Sequence, residues 1–439
     1  MDYLKLCSGS TVYHYGRHCR RFSLFALLYR GLISTNSATT RLGRTLHLSH
    51  HCCSQQTASR KLVVAPNVRW CATFPARSED VSKFPRYRLS RPEFLKKHLE
   101  KLRYEVVRSL LDQSSSLIGT KDGAASTSFT FTQNLEEMAE YYFNQGGKLF
   151  RPTVSLLMAR ACNQIAPTTK VPESGRETVT GNQYKIAVIS EMIHTASLVH
   201  DDVIDESSLR RGRPTAHALW GNKMAVLVGD FILARATQVL CSIGRPSVIS
   251  VMATIIEDLV KGEFMQMTAG NECNSEVRFE RYMAKTYSKT ASLFANSCKS
   301  TAMLADIPDA CITAAYEYGR SLGLVFQLID DLLDFVSSST ELGKPTASDL
   351  RLGLATAPVL FAAQEHPELN RLISRRFSDE GDVNTAWEMV SNSNGIERTR
   401  SLARMHAHNA AKLANQFPNG DNARDHLIEI ALGQLDRDR

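Results

Sequence analysis

The sequence predicts an all-α protein, built as one large helical bundle around a central cavity, and three observations carry that expectation. Apolar residues recur three and four apart through most of the chain after residue 89. Nowhere do alternating strands repeat with Asn-Gly turns between them, as a sheet protein needs. Two segments, VISEMIHTASLVHDD (188–202) and GRSLGLVFQLIDDLLDF (319–335), are apolar around most of their circumference, which marks central helices. No short period repeats along the chain, so a solenoid is excluded.

The elements follow in order. LSRPEFLKKHLEKLRYEVVRSLL (89–111) has helical spacing, with Ser and Pro placed for a cap. SSSLIGTKDGAASTSFTFT is small and polar, a connector, and NLEEMAEYYFNQ resumes the helical period. Helical patterns then cover 149–162, 184–206, 222–242, 248–269, 286–304, 311–337 and 354–364. Polar clusters separate them, among them NQIAPTTKVPESGRETVTGNQ, RRGRPT and LGKPTASD.

The chain has 439 residues, 43% of them hydrophobic, enough for a sizeable core. No uninterrupted apolar run approaches the roughly 18 residues of a membrane span. The formal charge of +7 invites a nucleic-acid reading until it is located. Residues 1–78 hold eleven Lys or Arg and one acid, Asp2; this surplus of ten leaves the remainder three units negative. A basic nucleic-acid surface is thereby excluded. Residues 1–80, Arg- and Ser-rich and poor in acids, have the composition of a mitochondrial transit peptide, with a basic amphipathic piece at CRRFSLFALLYRGLI. A disordered basic tail and a secretory signal are the competing readings. Residues 81–439 form the helical domain. Five of the ten cysteines (Cys7, Cys19, Cys52, Cys53, Cys71) fall in the leader, and no CxxC pair supports disulfides or structural zinc.

ASLVHDDVIDESSLRRG (196–212) sets Asp201, Asp202 and Asp205 behind Val188, Ile189, Met192, Ile193, Leu198 and Val199. Asp201 and Asp205, four apart, share one helix face. Such a pair is often a solvated acidic face, but a core helix leads into this one, and burying a carboxylate is costly unless it is paired or holds a metal. QLIDDLLDF (327–335) repeats the pattern with Asp330, Asp331 and Asp334. Carboxylates without Cys, and with no His clearly spaced to join them, favour a hard cation, expected to be Mg²⁺, completed by substrate phosphates. Basic residues stand at matching breaks: Lys148 and Arg151 in GGKLFRP, Arg210 and Arg211 in RRG, Lys289 with Thr290 in YSKTASL, and Lys344 in LGKP. Arg forks and Lys point charges both suit a diphosphate.

From GGKLFRP through DDVIDESSLRRG, GDF, KT, QLIDDLLD and GKP, residues 90 onward resemble the trans-isoprenyl diphosphate synthases, and within them the long-chain polyprenyl synthases that make the ubiquinone side chain. The resemblance implies the isoprenoid synthase fold and a transferase that condenses isopentenyl diphosphate repeatedly onto an allylic diphosphate, farnesyl or geranylgeranyl. It assigns Lys148, Arg151, His194 and Arg211 to the isopentenyl diphosphate. Arg210, Lys289, Thr290, Gln327 and Lys344 fall to the allylic diphosphate, and Asp201, Asp205, Asp330 and Asp334 to Mg²⁺, with Asp202 and Asp331 beside them in the catalytic motifs. A lone His such as His194 on an apolar helix is otherwise a core residue, and His200 is read as structural. No side-chain base adjoins the motifs, so the departing diphosphate is the expected proton acceptor.

Ala196 and Ser197, small where short-chain members of the family carry a bulky aromatic, are expected to leave a tunnel open for a long product; close packing is their alternative reading. The resemblance further implies a homodimer or a heteromer with a divergent second subunit, the mitochondrial matrix, and peripheral association with the inner membrane. A shorter-chain (geranylgeranyl or farnesyl) synthase, a terpene cyclase and a non-catalytic partner subunit are the competing functions. The second DDxxD and GGKLFRP argue against the cyclase, and two intact motifs against the partner.

Overall fold

In the computed structural model, residues 92–111, 137–143, 147–166, 179–268, 274–336, 347–420 and 422–437 are described. The leader, most of the two polar connectors and Lys344 lie outside them. The elements in chain order are α1 (Glu93–Leu111), α2 (137–143), α3 (Phe150–Asn163), α4 (Gly181–Ile204), the hairpin β1 (Leu209–Arg210) and β2 (Arg213–Pro214), α5 (Ala216–Trp220), α6 (Asn222–Cys241), α7 (Pro246–Met267) and α8 (Ser275–Thr286). A π-helical turn (Tyr287–Ala291) leads into α9 (Ser292–Leu304), then α10 (Asp309–Val336), α11 (Ser348–Arg351), α12 (Ala357–Glu365), α13 (Leu369–Ser374), α14 (Asp382–Ser391), α15 (Gly395–Ala414) and α16 (Ala423–Gly433). The all-α expectation holds.

Two apolar clusters make the core. In one, α4 packs on α1, α3, α6 and α9 through Leu156, Ile189, Met192, Ile193 and Val228; in the other, α10 packs on α9, α12 and α15 through Phe294, Tyr318, Leu322 and Phe361. Both central helices were legible from their all-round apolarity. Close approach of the π turn to α10 depends on Gly323, where a Cβ would stand 2.4 Å from Ala291 Cα. Helix α4 starts at a capping box: Gln183 N–H donates to Thr180 Oγ1 at 3.3 Å, and Thr180 N–H to Gln183 Oε1 at 3.0 Å.

Three elements differ from the sequence expectation. The break RRGRPT contains a two-stranded hairpin whose turn residues Arg211 and Gly212 both have positive φ (52° and 75°), the geometry of a type I′ turn. The helix expected from 286 begins at Ser275, where Asn274 Oδ1 accepts the Glu276 N–H at 2.8 Å, and it carries the π turn before continuing. After residue 365, where the motifs are silent, four more helices complete the second cluster.

Candidate active site

The last turn of α4 presents the first aspartate motif. Asp201 is pushed up to about 7 by burial, with Glu263 and Asp205 adding to the rise and Lys289 and Arg210 opposing it. Burial raises Asp205 as well. Their companion Asp202 is different: only 1% exposed, it accepts Arg210 Nε and Nη2 at 2.8–3.0 Å and the Tyr142 hydroxyl at 3.1 Å. The Tyr142 hydroxyl in turn accepts the Ala216 N–H at 2.9 Å. Asp202 thus ties the hairpin and α2 to the end of α4.

The second motif on α10 has the same division. Asp331 is 2% exposed and accepts the Tyr282 hydroxyl at 2.5 Å and Gln327 Nε2 at 2.9 Å. Thr290 donates to Gln327 Oε1 at 2.8 Å, which brings three residues of the expected allylic site, Lys289, Thr290 and Gln327, to one place. Asp330 pairs with Arg437 at 2.8 Å, and burial holds its carboxyl above the usual range. Asp334 accepts the Ser348 and Asp349 N–H groups at 3.0 Å and the Ser348 hydroxyl. Asp349, raised to about 7 by burial and by Asp331 and Asp334, joins this acidic side.

Cationic residues face both motifs. Lys289 reaches Glu263 Oε1 at 2.5 Å and Gln266 Oε1 at 3.3 Å. Behind it, part-buried Lys285 is lowered from the ordinary lysine range by lost solvation, and it is acted on by Asp331, Asp349, Lys289 and Glu263. Arg151 is part-buried, lowered to about 10 by lost solvation, and is acted on by Glu191 and Asp330, so it lies between the two halves of the site. Its guanidinium stands 5.0 Å over Phe294, and its Nε has no hydrogen-bond partner among the described residues.

A cavity of about 120 Å³ adjoins the first motif, lined among others by Arg103, Glu191, His194, Thr195, Arg210 and Arg211. Exposed Lys148 follows Gly147, which also lines it. Burial, with Arg151, Arg210 and Arg211 nearby, keeps His194 well below the usual imidazole range, so the ring is neutral at pH 7 and donates from one nitrogen only. Arg210, expected on the allylic diphosphate, is therefore found on the same wall as the isopentenyl diphosphate residues. Ala196 has no exposed surface and Ser197 donates to His194 O at 2.8 Å; neither lines this cavity. His200 packs against Gly229 and lies 3.6 Å from Asp230, consistent with a structural role.

The sequence reading missed Arg103, Glu191, Glu263, Lys285, Asp349 and Arg437. Glu191 lies on α4 itself, ahead of the first motif, and the other five reach the site from other elements; none stands in a motif whose spacing announces it.

Among the described residues, no three His, Cys, Asp or Glu are grouped to hold a metal ion by protein atoms alone. Asp201, part-buried, and Asp205, more exposed, are raised chiefly by lost solvation with the charge of Glu263 adding, and they nonetheless fit a hard cation that takes its remaining oxygens from water and phosphate.

Two aspartate-rich helix ends, the first acted on by Lys289 and Arg210 and the second by Arg437 and Arg151, inside an all-α bundle are the layout of a transferase that works on diphosphates. The chain belongs to the polyprenyl synthetase family, whose model matches residues 132–390, and it is a prenyltransferase. It is 49% identical over 309 residues to an all trans-polyprenyl-diphosphate synthase of Homo sapiens, covering 70% of this chain and 72% of that one. Against the mitochondrial solanesyl-diphosphate synthase 1 of Oryza sativa subsp. japonica it is 46% identical over 308 residues, covering 67% and 71%. The fold matches a polyprenyl synthase from Caulobacter crescentus complexed with calcium and isoprenyl diphosphate, with TM-score 0.62, 30% identity, and 79% and 97% of the two chains covered.

Proposed function

We propose that the chain makes a long all-trans polyprenyl diphosphate by repeated addition of isopentenyl diphosphate to an allylic diphosphate, in mitochondria, for the ubiquinone side chain. The observation that carries this reading is the pairing of two aspartate motifs with two cationic sets. Lys289, Thr290 and Gln327 serve the allylic diphosphate; Arg151, His194 and Arg211, with Lys148 at the rim, serve isopentenyl diphosphate. Arg103 joins the second set from α1, its Nη2 on Gly147 O at 3.2 Å. Lys344 is assigned to the allylic diphosphate by resemblance.

Asp201 and Asp205, and across the site Asp330 and Asp334, would hold Mg²⁺, which when bound supplies positive charge to the leaving diphosphate. Lys289 neutralises charge on the same oxygens as the allylic C–O bond breaks and the diphosphate departs with the electron pair. The arginines and neutral His194 hold isopentenyl diphosphate so that its double bond forms the new C–C bond. A proton is then lost to the departed diphosphate, and the product is one isoprene unit longer. Apolar walls exclude the water that would quench the cation.

An 18-residue window of helix α6 has a mean hydropathy of 1.6, only a third of it buried, with Val226 and Leu227 exposed. That face supports assembly with a second subunit, either a copy or a divergent chain.

The test is incorporation of labelled isopentenyl diphosphate by the purified chain with farnesyl or geranylgeranyl diphosphate, with Mg²⁺ and with chelator, the product length read by chromatography. Mg²⁺-dependent formation of a long product is expected. No incorporation, alone or with a co-expressed second subunit, overturns the reading, and a cyclic or short product replaces it.

A further inference from the structure

Lys289 stands where carboxylates from two helices compete for it. Glu263 and Gln266 on α7 hold its Nζ at 2.5 and 3.3 Å. Asp201 and Asp205, at the end of α4, are acted on by Lys289 more strongly than by any other charge, with Glu263 next. The backbone is shaped for the α7 contact. The π turn Tyr287–Ala291 carries Lys289 toward α7, and π turns of this kind recur at functional sites. Gly262 admits it: a Cβ there would lie 2.6 Å from Lys289 Cγ and 3.2 Å from its backbone N. A side chain at 262 would push the lysine stem away from Glu263.

An ammonium on a flexible four-carbon stem takes the nearest anionic oxygens unless another group holds it. Without Glu263, α7 offers the ammonium only the neutral Gln266 oxygen, and the anionic oxygens acting on it are those of Asp201 and Asp205, where a lysine would sit in place of a divalent cation. We propose that Glu263 is a positioning residue: it parks Lys289 on α7, keeping the ammonium off Asp201 and Asp205 and aiming a remaining N–H at the diphosphate. Glu263 acts through Lys289 and binds no metal itself. The inference rests on the reading of Asp201 and Asp205 as Mg²⁺ ligands.

The experiment is binding of an allylic thiolodiphosphate, which docks without ready ionisation, to the full-length chain by calorimetry at increasing Mg²⁺. Glu263→Ala is expected to raise the Mg²⁺ concentration at half-maximal binding about tenfold. Glu263→Gln, which keeps an acceptor oxygen without charge, should fall between it and the unaltered protein. In a Lys289→Ala background, Glu263→Ala should change the Mg²⁺ midpoint by no more than about twofold, because the lysine it restrains is gone. A tenfold shift that persists in that background overturns the proposal in favour of Glu263 as a direct ligand. An unchanged midpoint in folded Glu263→Ala also overturns it while leaving the site reading intact. Analogue binding indifferent to Mg²⁺ in the unaltered protein overturns both.

Discussion

Arg437, two residues from the end of the chain, pairs with Asp330 at 2.8 Å, while its guanidinium lies 4.4 Å from the centroid of the Phe326 ring. Arg437, beyond α16, thus reaches the second aspartate motif and favours the ionised form of Asp330 against the burial that opposes it. With Arg437→Ala that support is lost and the Asp330 carboxyl rises further. The acid limb of the pH–activity profile is expected to move to higher pH by about half a unit to one unit. Stability should change by less than about 1 kcal/mol, because both side chains are part exposed. An unmoved acid limb would show that Asp330 is not among the groups whose ionisation limits the reaction.

Asp201 sets a second expectation. A carboxyl pushed up to about 7 by burial and by Glu263 and Asp205 is partly protonated at neutrality, and a cation enters only as the proton leaves. Mg²⁺ affinity should therefore increase with pH up to about 7 and level off above it, with proton release visible as a buffer-dependent heat of binding. Stability of the metal-free protein runs the opposite way. The folded state holds this proton more tightly than the unfolded chain, whose Asp titrates near 3.8, so the native state loses stability as pH rises between about 4 and about 7. Mg²⁺ should raise the unfolding temperature more at about pH 8 than at about pH 5.5.

Neighbouring aspartates of the first motif should separate in mutagenesis. Asp202→Ala leaves Arg210 and the Tyr142 hydroxyl without their shared acceptor. A loss of about 2–3 kcal/mol in denaturant unfolding is expected, less than for a fully enclosed pair because Arg210 is 29% exposed. Asp201→Asn removes a charge that the fold disfavours. Its stability at about pH 8 should equal or exceed that of the unaltered protein, while turnover falls at least about a hundredfold. Equal losses of stability in the two variants would mean that the two acids share one role.

Ala196→Phe tests the tunnel. The position has no exposed surface, so overpacking should cost about 1–3 kcal/mol, and the product spectrum should shorten. Ser197→Phe, at a part-buried position on the same helix, serves if the first variant does not fold. An unchanged product length in both removes chain-length control from these residues.

The aspartates, the basic residues beside glycine and proline breaks, and the two central helices were legible in the sequence because each depends on local spacing. Period 3.6 puts Asp201 and Asp205 on one face, and an all-round apolar helix has nowhere to go but the core. What spacing alone left open is which acids are available for chemistry. Asp202 and Asp331 carry the same letter as their neighbours, yet Arg210 and Tyr142, or Tyr282 and Gln327, engage them from other elements. Likewise Glu263, Glu191, Arg103, Lys285 and Arg437 become site residues only when α7, α4, α1, α8 and the C-terminal residues are packed together. Local periodicity determined the kind of fold and the chemistry it carries. Tertiary packing decided the partners, because burial and charge pairing are set by residues far away in the chain.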